Sequence, residues 1–179
     1  RTGSLVQKGI ILNLLGEIAR MGGNLSSATA YYQQAMIIFK ANRSGMANIM
    51  MINLGITLIA QERYKEALGL LHNGHEQLLL KGPSMYLPFT HSLLLSCCAR
   101  TGDFATYDAH FSALKALESK PAPETDPDIA YGLQLAGEIT LSLGDHTRAE
   151  QALQMALLQW RRLDRKPEIK QVTALINSF

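Results

Sequence analysis

One short pattern returns about every forty residues along this 179-residue chain, and it constrains the fold more than any other feature. Leu15-Gly16, Leu54-Gly55 and Ala136-Gly137 sit within apolar-periodic segments, and Leu94-Leu95 takes the equivalent place in another. In chain order, the second residues of these four pairs are 39, 40 and 42 positions apart. Twelve residues beyond them come Ala28, Ala67, Tyr107 and Ala149. A period of this length marks supersecondary units that complete their cores by stacking on neighbours. Apolar residues return at spacings of three and four nearly throughout, and strand-like alternation is almost absent, so the units are helical.

Turn-forming stretches divide the chain into hairpins. "MGGN" (21–24), "KGPS" (81–84), "TGD" (101–103), "KPAPETDPD" (120–128) and "LGD" (143–145) interrupt the helical periodicity. In Gly23-Asn24, Gly102-Asp103 and Gly144-Asp145 a glycine suited to a left-handed helix stop precedes a side chain suited to an N-cap. Such tight links leave two helices antiparallel and adjacent. The stretch with Pro121, Pro123 and Pro127 reads as a longer connection closing on Asp126, with Pro127 at the first helical position. The expectation is a single repeat domain over residues 1–179, with units at about 5–43, 45–81, 84–119 and 126–164. A capping helix over 168–179 follows, whose Val172, Leu175, Ile176 and Phe179 cover the fourth unit.

Small residues at the recurring positions let helices approach. Antiparallel helices pack about 8–10 Å apart, and the shorter distances need small side chains at the contact. Gly16 and Gly137 are expected to face Ala28 and Ala149 across their hairpins, with Tyr32, Leu71, Phe111 and Leu153 filling the space between units. The third unit carries Leu95 and Tyr107 at its two small positions, so its helices must lie farther apart or in a shifted register. Tyr31, Tyr64 and Phe104 also read as packing residues.

The first unit's Leu15-Gly16, Gly23, Ala28, Tyr32 and Ala35 resemble the small and large positions of the tetratricopeptide repeat (TPR). The same holds for Gly137, Gly144, Ala149, Leu153 and Ala156 in the fourth. Unit two keeps Leu54-Gly55, Tyr64 and Ala67 but has Glu62 at the turn glycine. The period exceeds the ~34 residues of the standard repeat. It is similar to the longer-helix arrays of large bacterial ATPase and kinase regulators, a likeness carried by "DFATYDAHFSAL", "DPDIAYGLQLAGE" and "RAEQALQMALLQWRRL". The resemblance implies an all-α fold, a right-handed superhelix of about four TPR-like helix hairpins plus a C-terminal capping helix. It also implies a concave groove lined by the first helices. Carried over position by position, the lining is Asn13, Glu17 and Arg20, then Ile49, Ile52 and Ile56. Unit three adds Phe89, Ser92 and Ser96, and unit four adds Tyr131, Gln134 and Glu138. The Lys/Asn clamp with which chaperone-binding members of the family hold C-terminal carboxylates has no counterpart in it.

Composition narrows the function. A hydrophobic content of 47% suffices for a full core without staples. The net charge of +2 is too small for electrostatic capture of nucleic acid or a membrane. Charged residues make up 18%, below the roughly 25% of an average domain, which points to surface covered by more protein. The run "IMMINLGITLIA" (49–60) falls short of the ~20 residues of a membrane span and reads as a buried helix. Cys97 and Cys98 lack C-x-x-C spacing and read as reduced, packed thiols of a cytoplasmic protein. His72 and His75 lie three apart beside Glu76, but no third ligand accompanies them, so they read as a solvated helix face. His91, His110 and His146 stand isolated. The basic residues of "WRRLDRKPEIK" (160–170) complement a helix C-terminus better than they read phosphates. No phosphate loop, metal set or paired nucleophile and base is present, so the sequence implies no cofactor, metal or catalytic group.

The resulting expectation is a non-catalytic protein-interaction scaffold, the regulatory repeat region of a larger bacterial signalling protein. Its partners would be a protein, a peptide or neighbouring domains of the parent chain, with a homodimer also compatible and no membrane. The alternative is a small-effector sensor module controlling an attached ATPase or kinase, and nucleic-acid binding is the third reading. The opening "RTGS" carries neither an initiating Met nor a signal peptide, which suggests a piece of a longer chain.

Overall fold

Helix stops organise this chain, and they are built alike. A computed structural model describes residues 2–119 and 123–178. Nine α-helices run through the described residues: α1 (Thr2–Met21), α2 (Leu25–Ala41), α3 (Met46–Ala60), α4 (Tyr64–Lys81), α5 (Leu87–Thr101), α6 (Phe104–Glu118), α7 (Pro127–Ser142), α8 (His146–Arg162) and α9 (Lys166–Ile176). A short 3-10 turn, Ser84–Tyr86, precedes α5. Lys120, Pro121 and Ala122 of the proline-rich connection lie outside the described residues, as does Phe179 of the expected capping stripe.

Six helices end on a residue with left-handed backbone: Gly23, Arg43, Glu62, Gly102, Gly144 and Asp164. In each case the next amide donates to a carbonyl five residues back, as from Asn24 N to Ala19 O at 2.8 Å and from Arg63 N to Leu58 O at 2.9 Å. This closure satisfies carbonyls that the helix leaves open. Glu62 therefore takes the conformation that its glycine counterparts adopt freely, at a penalty of about 1 kcal/mol. The following helices start as their sequences predict. Asn24, Asp103 and Asp145 accept from the amides of Ser27, Thr106 and Arg148. Asp126 accepts from the Asp128 amide at 2.8 Å, with Pro127 in the first turn.

The chain divides into two compact units, Arg1–Tyr86 and Leu87–Phe179. In the first, α1 packs on α2, α2 on α3 and α3 on α4. Tyr32, Ala35, Phe39, Met50 and Leu54 form part of its core, and α3 is buried over most of its circumference. In the second, α5 packs on both α6 and α7, α7 on α8, and α8 on α9. Val172 of α9 is fully buried, while Lys166, Lys170 and Gln171 on the same helix are exposed.

The glycines of the recurring pairs mark the closest approaches inside hairpins. A Cβ added at Gly16 would lie 2.5 Å from the Tyr32 ring, at Gly55 2.5 Å from Leu71, and at Gly137 2.5 Å from Leu153. Each glycine thus receives the large residue of its own hairpin. The expected Gly–Ala facing holds at Gly137, whose added Cβ would also lie 3.3 Å from the Ala149 carbonyl oxygen, while Tyr32 shares a core cluster with Met50 and Leu54 of the next hairpin as well as meeting Gly16. The glycine meets the large residue for a geometric reason. Residues seven before and nine after a turn such as Gly23 or Gly144 come level in an antiparallel pair, whereas the alanine lies one turn nearer the link. In the third hairpin Leu95 occupies the glycine's place, and α5 packs on α6. There Tyr107 is buried and stacks on Phe111, with ring centroids 6.4 Å apart.

Candidate interaction surface

The twelve positions carried over as groove lining do not share one environment. In the first unit, Ile52 and Ile56 are buried and Ile49 is half-buried. Asn13 is half-buried and accepts a hydrogen bond from Asn53 Nδ2 at 2.9 Å, joining α1 to α3. Glu17 and Arg20 pair with each other at 2.9 Å. In the second unit, Ser92 and Ser96 are fully buried and donate to the carbonyls of Phe89 and Leu93. Gln134 is buried, accepting from Trp160 Nε1 and donating to Glu138, both at 2.9 Å. Phe89 and Glu138 are half-buried, and Tyr131 is the one exposed member. Ile52, Ile56, Ser92, Ser96 and Gln134 are thus buried among their neighbours. Neighbouring first helices come close in the second unit. A Cβ at Gly132 of α7 would lie 2.9 Å from the Ser92 carbonyl carbon, so the α5 and α7 backbones meet there.

A different surface stands open. Gly9 and Gly16 turn one side of α1 toward Phe39 and Tyr32 of α2. The opposite side carries Ile11 (57% exposed), Leu14 (55%), Ile18 (67%) and Met21 (82%). At 100° per residue these four lie within one narrow stripe diametrically across from the glycines. Leu15 and Ile10 widen it. Register from Gly16 and Gly137 equates Ile11, Leu15 and Ile18 with Gly132, Ala136 and Ile139 of α7. Those three are buried, with Gly132 directly against α5. The face that α7 covers with a preceding helix is thus bare and apolar on α1 among the described residues. Clustered exposed apolar side chains of this kind mark sites of association. Sequence reasoning missed this stripe, because periodicity alone does not say which side of α1 stays uncovered.

Chemistry is sparse elsewhere. His91 and His110, read from the sequence as isolated, meet across the α5–α6 hairpin with their Nδ1 atoms 2.9 Å apart. One nitrogen donates and the other accepts, which ties α5 to α6. Nineteen residues separate them, so only the hairpin pairing could have revealed the contact. Burial first, then the neighbouring His72, holds the His75 imidazole below its ordinary value. Cys97 and Cys98 are buried free thiols. Burial pushes both up to about 12, helped by Cys98 for the first and by Asp103 for the second, so neither supplies a thiolate near neutrality. Arg148 bridges α8 to Asp108 of α6 through two bonds of 2.7 and 2.8 Å and lies 4.8 Å over the Phe104 ring. Arg162 at the end of α8 pairs with Glu118. No helix among the described residues is long and apolar enough to cross a membrane.

No protein-family profile matches this chain, and no curated protein matches it in sequence. Among solved structures it is similar to the crystal structure of MamA protein, a TPR-like helical protein. The TM-score is 0.53 at 14% identity, covering 94% of this chain and 89% of that one. The likeness shows the fold, a TPR-like helical repeat.

Proposed function

We propose that this chain is a non-catalytic protein-interaction scaffold, the regulatory repeat region of a larger bacterial signalling protein working in the cytoplasm. The observation that carries the docking role is the apolar stripe of α1, in register with a face that α7 fills with another helix. Its occupant is a helix with an apolar face of its own, because the equivalent contact on α7 is made by the helix α5. The accessible members of the carried-over lining are assigned to partner contacts on each unit by itself, Asn13, Glu17, Arg20 and Ile49 on the first and Phe89, Tyr131 and Glu138 on the second. Support for the cytoplasm comes from two adjacent cysteines left as free thiols.

The test uses a synthetic amphipathic helix of about twenty residues with leucines along one face, titrated into the protein by fluorescence anisotropy. Leu14→Glu is expected to weaken binding at least about tenfold while helicity is kept, since Leu14 is mostly exposed. Absence of binding to the unaltered chain, or binding untouched by Leu14→Glu, overturns the reading.

A further inference from the structure

We infer that His91 and His110 together bind a zinc ion through their Nδ1 atoms, clamping α5 to α6. Both residues belong to the second unit, and the site is independent of the docking reading above.

Spacing selects the metal. The two Nδ1 atoms lie 2.9 Å apart and the ring centres 5.1 Å apart, with the ring planes inclined at 59°. Zinc holds imidazole nitrogens at about 2.0–2.1 Å in a tetrahedral arrangement. Two such nitrogens stand about 3.3 Å apart, and their ring centres about 5.2 Å apart. The ring centres of His91 and His110 are therefore already at the zinc spacing. Entry of the ion needs the rings only to tilt in place, parting the nitrogens by about 0.4 Å. A right-angled arrangement with the same bond lengths would need the centres about 4.5 Å apart, so the hairpin suits zinc better than ions of square-planar preference.

The protons balance without a co-reactant. In the hydrogen-bonded pair one Nδ1 carries the proton that the other accepts. As zinc binds, that proton passes through water to Nε2 of its own ring, and both Nδ1 lone pairs turn to the ion. Neutral imidazole is the ligating form, so no proton is released in net terms and no electron moves.

The setting favours capture. His91 is buried and His110 half-buried, so packing holds one ring while the other opens the way for a hydrated ion. Their helices are joined by the tight link at Gly102, sealed by the bond from Asp103 N to Cys98 O at 3.0 Å. The two ligands thus meet before the ion arrives, and little ordering remains to oppose binding. Water completes the coordination.

Calorimetric titration of the whole chain with zinc chloride at about pH 7.5 tests the inference. One ion per chain is expected to bind, with saturation below about 1 mM zinc. The melting temperature is expected to rise with zinc, because the unfolded chain does not hold the two rings together. His110→Ala, at the half-buried ring, and His91→Gln, which keeps a polar group at the buried one, should each weaken binding at least about tenfold. Far-ultraviolet circular dichroism checks that both keep their helices, and His110→Ala decides if the change at the buried ring costs helicity. His146→Ala, at an exposed histidine of α8, is expected to bind zinc as the unaltered chain does. Absence of saturable binding, or binding unchanged in His110→Ala, overturns the inference.

Discussion

Gly16 of α1 and Gly137 of α7 both turn toward the second helix of their hairpins, and each receives a large side chain there. Both helices stop at a left-handed glycine, Gly23 or Gly144, and hand over to a capping residue. Their far sides diverge. α7 carries Gly132, Ala136 and Ile139 beneath α5, whereas α1 carries Ile11, Leu15 and Ile18 exposed. Residue size at these positions follows what comes near. Where a neighbouring backbone touches, as Ser92 touches Gly132, the position is glycine. Where large side chains stand out, any helix packed on them would sit at a wider spacing and interdigitate with them.

The sharpest way to break this contrast is to exchange sizes. Gly132→Ile forces a side chain into the Ser92 backbone and is expected to destabilise the chain by about 3 kcal/mol or more. The mirror change, Ile11→Ala, is expected to shift stability by less than about 0.5 kcal/mol, since it removes exposed surface. Urea unfolding midpoints at low protein concentration compare the two, and equal losses would abolish the distinction. A second pair of changes asks whether the inner faces are alike. Gly16→Ala and Gly137→Ala are both expected to destabilise, by about 1–2 kcal/mol after the gain in helix propensity. The first should be the larger, because the obstacle at Gly16 is a buried ring and at Gly137 a more adaptable leucine. A stabilising Gly16→Ala would show that Tyr32 moves aside.

A smaller effect than the glycine exchanges concerns the ion pair between α6 and α8. Two hydrogen bonds from Arg148 hold the Asp108 carboxyl below its ordinary value of 3.8. The folded state thus binds that proton less readily than the unfolded one. The stabilisation is complete above the ordinary value and fades as pH falls through the lowered one. Asp108 is largely exposed, so Asp108→Asn is expected to lose less than about 1 kcal/mol at pH 7. The loss should vanish on acidification as both proteins come to lack the charge. Unfolding free energies at neutral and acid pH check this, and a difference that persists in acid would assign the effect to packing.

Local chemistry made much of the fold legible. A glycine before Asn24, Asp103 or Asp145 announces both a stop and a start, and Asp126-Pro127 announces a start, because the atoms that satisfy the backbone lie a few residues away. Glu62, which departs from the turn glycine of the other units, nonetheless takes the left-handed stop. Side-chain environment proved harder to read. Ser92 looked like groove lining because its own helix gives no sign that Gly132, forty residues on, admits a second backbone beside it. Ile52 and Ile56 lie on a helix apolar nearly all round, where periodicity cannot choose an outward side. His91 and His110 each looked solitary until the hairpin brought them face to face.

The helix stops have a consequence for how the molecule is made. Each is sealed by a bond reaching back only five residues, so reversing direction needs nothing from a distant part of the chain. As synthesis proceeds from the N-terminus, the link after α1 can close before α3 exists, and the link after α3 before α5. Contacts this local favour rapid, stepwise ordering, one hairpin after another, in the sequence in which the ribosome delivers them.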